Sequence, residues 1–125
     1  MPTQLFLGFS ALVWAGYGLY CFMVPTALAD MNVITAASAT GTVEIKAMYG
    51  GLQTALGVLA LMGLLRSAMI KPALTALAFA TGGLFIARSL GALMAANFSA
   101  YTSGALVFEL LATLIAVWLL KKQPA

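Results

Sequence analysis

The chain has 125 residues, 63% of them hydrophobic and 7% charged, with a net charge of +3 at neutral pH. Soluble domains carry roughly 25% charged residues, so this composition excludes a folded monomer surfaced for water and leaves lipid as the solvent. The bases are scattered and form no basic stripe, which argues against nucleic acid as a partner, and a single cysteine, Cys21, with no histidine excludes an internal disulfide and argues against a zinc or haem site.

A hydrocarbon core about 30 Å thick needs about 20 apolar residues in a helix. Residues 5–24, 43–66, 72–96 and 104–120 meet that length or nearly so, and several are apolar on every face. They predict an all-α fold, an integral membrane four-helix up-down bundle. It occupies residues 1–125 as a single transmembrane domain and leaves no separate soluble one.

The first span is followed by Ala27-Leu28-Ala29, which looks like a signal-peptidase site. No Lys or Arg precedes the apolar run, however, and the run is long for a signal, so it is read as a retained span. Pro25 ends it. In the connection 25–42, Leu28, Met31 and Ile34 recur at helical spacing; this segment is either a short interfacial helix or a loop touching headgroups. Cys21 either faces lipid or packs inside.

Thr42 is the expected N-cap of the second span, and Glu44 falls in its first turn, where the helix dipole favours a carboxylate. The connection "SAMIKP" puts Pro72 in the first turn of the third span. This short link and "NFSAYTSG" make spans two, three and four antiparallel neighbours in sequence. Ala76, Ala80, Gly83, Ala87, Gly91 and Ala95 form a stripe of small residues on span three, and Gly50, Thr54 and Gly57 do so on span two. Such residues let backbones approach closely in lipid, and close helix packing is their expected role.

Arg66 and Lys71 bracket the second connection and Lys121 and Lys122 follow the fourth span, whereas Asp30 lies in the first connection. The positive-inside rule therefore predicts cytoplasmic N- and C-termini in a multi-pass membrane protein. Lys46 and Arg88 do not follow that rule; Lys46 is expected to snorkel to the outer headgroups.

The remaining polar residues gather at one depth. At ~1.5 Å per residue from residue 43, Tyr49 lies about 9 Å deep and Gln53 about 15 Å. Counted from the outer ends of their own spans, Arg88 is at about 12 Å and Glu109 at about 8 Å. Tyr17 and Tyr20 share the layer. A charge at the centre of a membrane helix costs at least about 2.5 kcal/mol on insertion scales, which predicts an ion pair between Arg88 and Glu109. Glu44, with Tyr17, Tyr49 or Gln53, is expected to satisfy the remaining guanidinium donors. The cluster has two readings: polar glue that sets helix register, or a working site.

The run "EIKAMYGGLQTALGVLAL", with "ARSLG" and the glutamate of span four, resembles the bacterial membrane family called domain of unknown function 4345. That resemblance covers nearly the whole chain, with Tyr49-Gly50-Gly51 its specific part. It implies a four-span inner-membrane protein and assigns no activity. A looser architectural likeness extends to DoxX-like proteins and to the Erg28-type sterol-pathway scaffold.

Three functions compete. The favoured one is a binding or scaffold protein whose outer half holds a membrane lipid or small hydrophobic ligand at Glu44, Tyr49, Gln53, Arg88, Glu109 and Tyr17, without a cofactor, and which forms a homo-oligomer or docks a partner membrane protein. The second is an oligomeric proton- or ion-coupled transporter or channel. The third is a membrane isomerase or lipid-modifying enzyme using Glu44 or Glu109 with Tyr49; the chain offers no nucleophile, histidine or metal set to support it, and no catalytic residue is assigned.

Overall fold

The computed structural model describes all 125 residues. Its elements are α1 (Pro2–Met23), a single turn α2 (Ala27–Asp30), α3 (Ala39–Leu65), α4 (Ile70–Ala95) and α5 (Ala100–Lys121). No strand forms, and four helices are long and apolar enough to cross a membrane. They run up and down as the short connections require. Both termini and the 66–69 turn share one end, here the terminal end; residues 24–38 and 96–99 share the other, the loop end.

Pro2 opens α1 in the first turn, where a missing N–H leaves no bond unmade. Val24, just before Pro25, ends it. The turn α2 does not lie on the surface as an interfacial helix. Leu28 is fully buried against Cys21 and Ile45 while Met31 stays exposed, so this segment folds inward as a plug across the loop end. Cys21 is packed, not lipid-facing.

Helix α3 begins earlier than expected. Ser38, not Thr42, is its N-cap, accepting a hydrogen bond from the Gly41 N–H at 3.1 Å. Thr42 lies inside the helix, where its hydroxyl donates back to the Ser38 carbonyl. Midway, Lys46–Leu52 widens into a π-helical turn, a form concentrated at functional sites. Pro72 sits in the first turn of α4, as expected, after a 3₁₀ turn at Ser67–Met69.

Packing is uneven along the bundle. Helix α1 lies along α3 and α4 along α5, and the pairs are joined chiefly where α3 meets α4 near the terminal end. Leu7, Trp14, Ala60, Ala73, Leu74, Leu77, Ala116 and Leu119, from all four spans, form one buried core there. The π turn packs on α1 and makes no comparable contact with α4 or α5, while α1 and α5 meet only lightly. The loop half is accordingly the less closed part of the bundle.

Small residues mediate the α1–α3 contact. A Cβ on Gly57 would stand 2.3 Å from the Ala15 backbone nitrogen, and one on Gly50 would stand 2.8 Å from the Phe22 Cβ. The stripe on α4 behaves differently from expectation: Gly83, Ala87, Gly91 and Ala95 are exposed, and nothing lies within 4 Å of a Cβ built on Gly83 or Gly91. Gly82 faces α5 instead, against the Thr113 methyl group at 3.4 Å.

Candidate functional site

A tight turn sets the geometry of the charged pair. Ala96 adopts a left-handed conformation (φ 50°) that caps α4, Asn97 accepts from the Ser99 N–H, and the Ser99 hydroxyl caps α5 by accepting from the Thr102 N–H. So short a turn holds α4 and α5 side by side and fixes their relative register. Arg88, two turns before the end of α4, then meets Glu109, more than two turns into α5.

The Arg88 Nε donates to Glu109 Oε1 at 2.5 Å and lies 3.3 Å from Oε2. Glu109 is 2% exposed, whereas the Arg88 side chain keeps 29% of its surface accessible. Its Nη groups, four donors in all, have no protein acceptor, and Arg88 lines a groove. That groove, about 230 Å³, is lined by Arg88, Gly91, Ala92, Ala95, Asn97 and Thr102.

One turn further toward the terminal end, a threonine pair braces the same two helices. Thr81 donates to the Leu77 carbonyl at 2.6 Å, which leaves its oxygen free to accept from Thr113 at 2.8 Å. The Thr113 hydroxyl also lies 2.7 Å from the carbonyl of Glu109. These contacts tie the backbone that carries the glutamate to α4.

Tyr17 of α1 reaches across to α5, its hydroxyl 3.2 Å from that of Tyr101. Trp14 and Phe108 pack below as a tilted pair, with ring centroids 6.1 Å apart. These are the side-chain bridges across the lightly packed α1–α5 side. Tyr49 packs against the second buried cluster of Cys21, Leu28 and Ile45. Gln53, one turn beyond Tyr49, shares a helix face with Ala60, in the core, and with the half-buried Leu56 packed against it. Its Oε1 is buried and has no hydrogen-bond partner.

Arg88 and Glu109 are thus paired, and Tyr17 is bonded to Tyr101 two turns from Glu109 on α5, whereas Tyr49 and Gln53 make no side-chain bond to any of them. Glu44 does not join them. Ile45 takes the inward position, so its neighbour points away, exposed and bonded to nothing in the chain. Glu44 instead edges a separate shallow groove of about 300 Å³, with Ile34, Ala36, Met48 and Tyr49. Tyr20 is exposed, and its side chain bonds to nothing in the chain. The Lys46 ammonium sits 5.2 Å from the centroid of the Phe22 ring, near the loop-side end of α1.

Tyr101, Thr81 and Thr113 were not among the expected site residues. Tyr101 and Glu109 are eight apart, close to the same face of α5, and that spacing is the signal that identifies the tyrosine. Thr81 and Thr113 carry no such mark, because a threonine in a span most often bonds its own helix. No group of three or more potential metal ligands occurs.

No curated protein matches the chain, and no solved structure does, so neither comparison shows a likeness to DoxX-like or Erg28-type proteins. A family model does match, described as a domain of unknown function, DUF4345, and it covers residues 2–120. The match takes in all four spans, short only of the last residue of α5, and includes both Arg88 and Glu109. This chain is a multi-pass membrane protein of the DUF4345 family.

Proposed function

We propose that this protein binds an amphipathic lipid or small hydrophobic ligand in the loop half of its bundle, with Arg88 as the polar anchor. The observation that carries this reading is the half-used guanidinium. A purely structural arginine would bury its donors among protein acceptors; this one commits Nε to Glu109, leaves its Nη groups without a protein acceptor and lines a groove. Glu109 acts as the positioning residue, and Thr113 holds the helix turn that carries it. Glycine and alanine along the groove leave room for a chain to pass from the guanidinium toward the lipid phase.

The packing supports binding over conduction. Beyond the polar layer the interior is filled by Leu7, Trp14, Leu74, Leu77 and Leu119, all buried, with no ionisable group among them. The same reading puts the termini in the cytoplasm and the loop end on the outer face of a bacterial inner membrane, because Arg66, Lys71, Lys121 and Lys122 cluster at the terminal end. It also has the chain acting as a homo-oligomer or beside a partner membrane protein, with the exposed Gly83, Ala87 and Gly91 face of α4 as the contact.

Native mass spectrometry of the protein extracted from its own membrane tests this reading. The wild type is expected to carry a bound lipid-sized mass through purification, and Arg88→Gln to lose most of it while remaining helical and monodisperse. Equal retention by both proteins, or none by either, overturns the proposal.

A further inference from the structure

We propose that the groove edged by Glu44 is a second binding site and takes a singly charged cationic amphiphile, with its ammonium head at the carboxylate and its apolar body along Ile45 and Met48. This groove shares no lining residue with the one at Arg88 and does not depend on the function proposed there.

Both walls of the groove are fixed by the fold. On one side the Val33 N–H donates to the Leu28 carbonyl at 2.7 Å, which ties the segment carrying Ile34 and Ala36 to the buried plug. The other side is α3, where five residues separate Glu44 from Tyr49. On a regular α-helix that spacing leaves them about 140° apart. The π-helical turn at Lys46–Leu52, with its i→i+5 bonding, narrows the angle, and the two residues line one groove. Between the walls lies Ile45, buried with Cys21 and Leu28. Walls formed in advance lower the ordering cost of binding.

Charge selects the occupant. Glu44 is the only charged residue lining the groove, and it forms no ion pair within the chain, because the nearby Lys46 ammonium lies at the Phe22 ring. An ammonium head completes the carboxylate with a charge-assisted hydrogen bond. A carboxylate or phosphate head would meet Glu44 with no base to receive it, and the same objection applies to a zwitterionic phospholipid, whose phosphate comes with its amine. The apolar part lies at the matching depth. Met48 and Tyr49 are four and five residues further into the span, about 6–8 Å deeper, so a molecule with its ammonium at Glu44 directs its apolar body toward the bilayer core. At about 300 Å³ the groove is at the small end of the range for small-molecule sites and suits one chain or ring, not paired acyl chains.

The test uses the full chain in phosphatidylcholine nanodiscs at neutral pH, with Ala37→Cys as a reporter in the groove wall; Ala37 is exposed, and the native Cys21 is buried. Labelling by N-ethylmaleimide is followed with dodecylammonium, dodecanol or dodecanoate added. Dodecylammonium is expected to slow labelling and the other two are not, while Met31→Cys, exposed outside the groove, should label at one rate throughout. Glu44→Gln, added to the reporter, should raise the half-protecting concentration at least ~10-fold, the scale of one hydrogen bond to a charged group. Glu44→Lys should transfer protection to dodecanoate. Equal protection by dodecanol, equal protection at Met31→Cys, an unchanged half-protecting concentration in Glu44→Gln, or no transfer in Glu44→Lys overturns the inference. Protection without any probe in discs containing phosphatidylethanolamine assigns the groove to a phospholipid head and overturns it too. None of these outcomes alters the lipid retention expected at Arg88.

Discussion

Gly18 and Thr54 bring α1 and α3 into backbone contact: a Cβ built on Gly18 would stand 2.5 Å from both the Thr54 amide nitrogen and its Oγ1, and 2.8 Å from the Gly50 carbonyl oxygen. Rigid backbone surrounds the site, so the strain cannot be relieved by turning one side chain. Gly18→Ala is expected to destabilise the fold by about 1–3 kcal/mol, the usual range for overpacking. Gly83→Ala, where nothing stands nearby, should be neutral or stabilising by up to about 1 kcal/mol through helix propensity. Thermal unfolding of both variants in one detergent measures the contrast, and equal effects would contradict the packing described.

The charged pair is asymmetric, because Glu109 is sealed and Arg88 is partly open. Arg88→Met leaves a buried carboxylate unpaired and is expected to cost about 3–5 kcal/mol. Glu109→Leu leaves a guanidinium that can turn toward its groove, so its cost should be smaller. Replacing both at once removes the charge problem entirely, and the double variant should recover most of the stability lost in Arg88→Met. A double variant no more stable than Arg88→Met would mean that the pair does not act as a unit.

Some of this arrangement is legible in the sequence, and the boundary has physical reasons. Span lengths follow from bilayer thickness, and the Arg88–Glu109 contact follows from counting rise per residue on either side of a tight turn. Glu44 is misplaced by that same arithmetic, because depth along a helix does not give direction around it. The π turn at Lys46–Leu52 adds to the difficulty, since it changes the angular phase of α3 in a way no hydrophobic period announces. The glycines show a similar limit: stripes on α3 and α4 look alike as letters, yet only the α3 stripe packs within the chain. Which face of a uniformly apolar helix turns inward is decided by its neighbours.

Ala96 carries the α4–α5 turn in the left-handed region with φ 50°, a conformation that costs an L-residue roughly 1–2 kcal/mol and glycine little. The residue is exposed, so removing its methyl group sacrifices no packing. Ala96→Gly is expected to stabilise the protein by about 1 kcal/mol, read as a raised unfolding midpoint. Because the helical register between Arg88 and Glu109 depends on this turn, lipid retention should be unchanged in the variant. A loss of stability would show that the turn relaxes out of the left-handed conformation.

Orientation in the membrane can be read with the protein's own cysteine as an internal control. Cys21 is free and fully buried, so the wild type should resist a membrane-impermeant maleimide in intact cells and after permeabilisation, reacting only when unfolded. Met31 is exposed at the loop end, and Ala125 lies beyond the Lys121-Lys122 pair at the terminal end. With the basic residues held inside, Met31→Cys should label in intact cells, and Ala125→Cys only once the membrane is permeabilised. The opposite pattern would place four exposed bases on the outer face and reverse the proposed side of ligand entry. Labelling of both in intact cells would mean that the chain inserts in both directions, as expected only if Lys46 and Arg88 at the loop end offset the terminal bases.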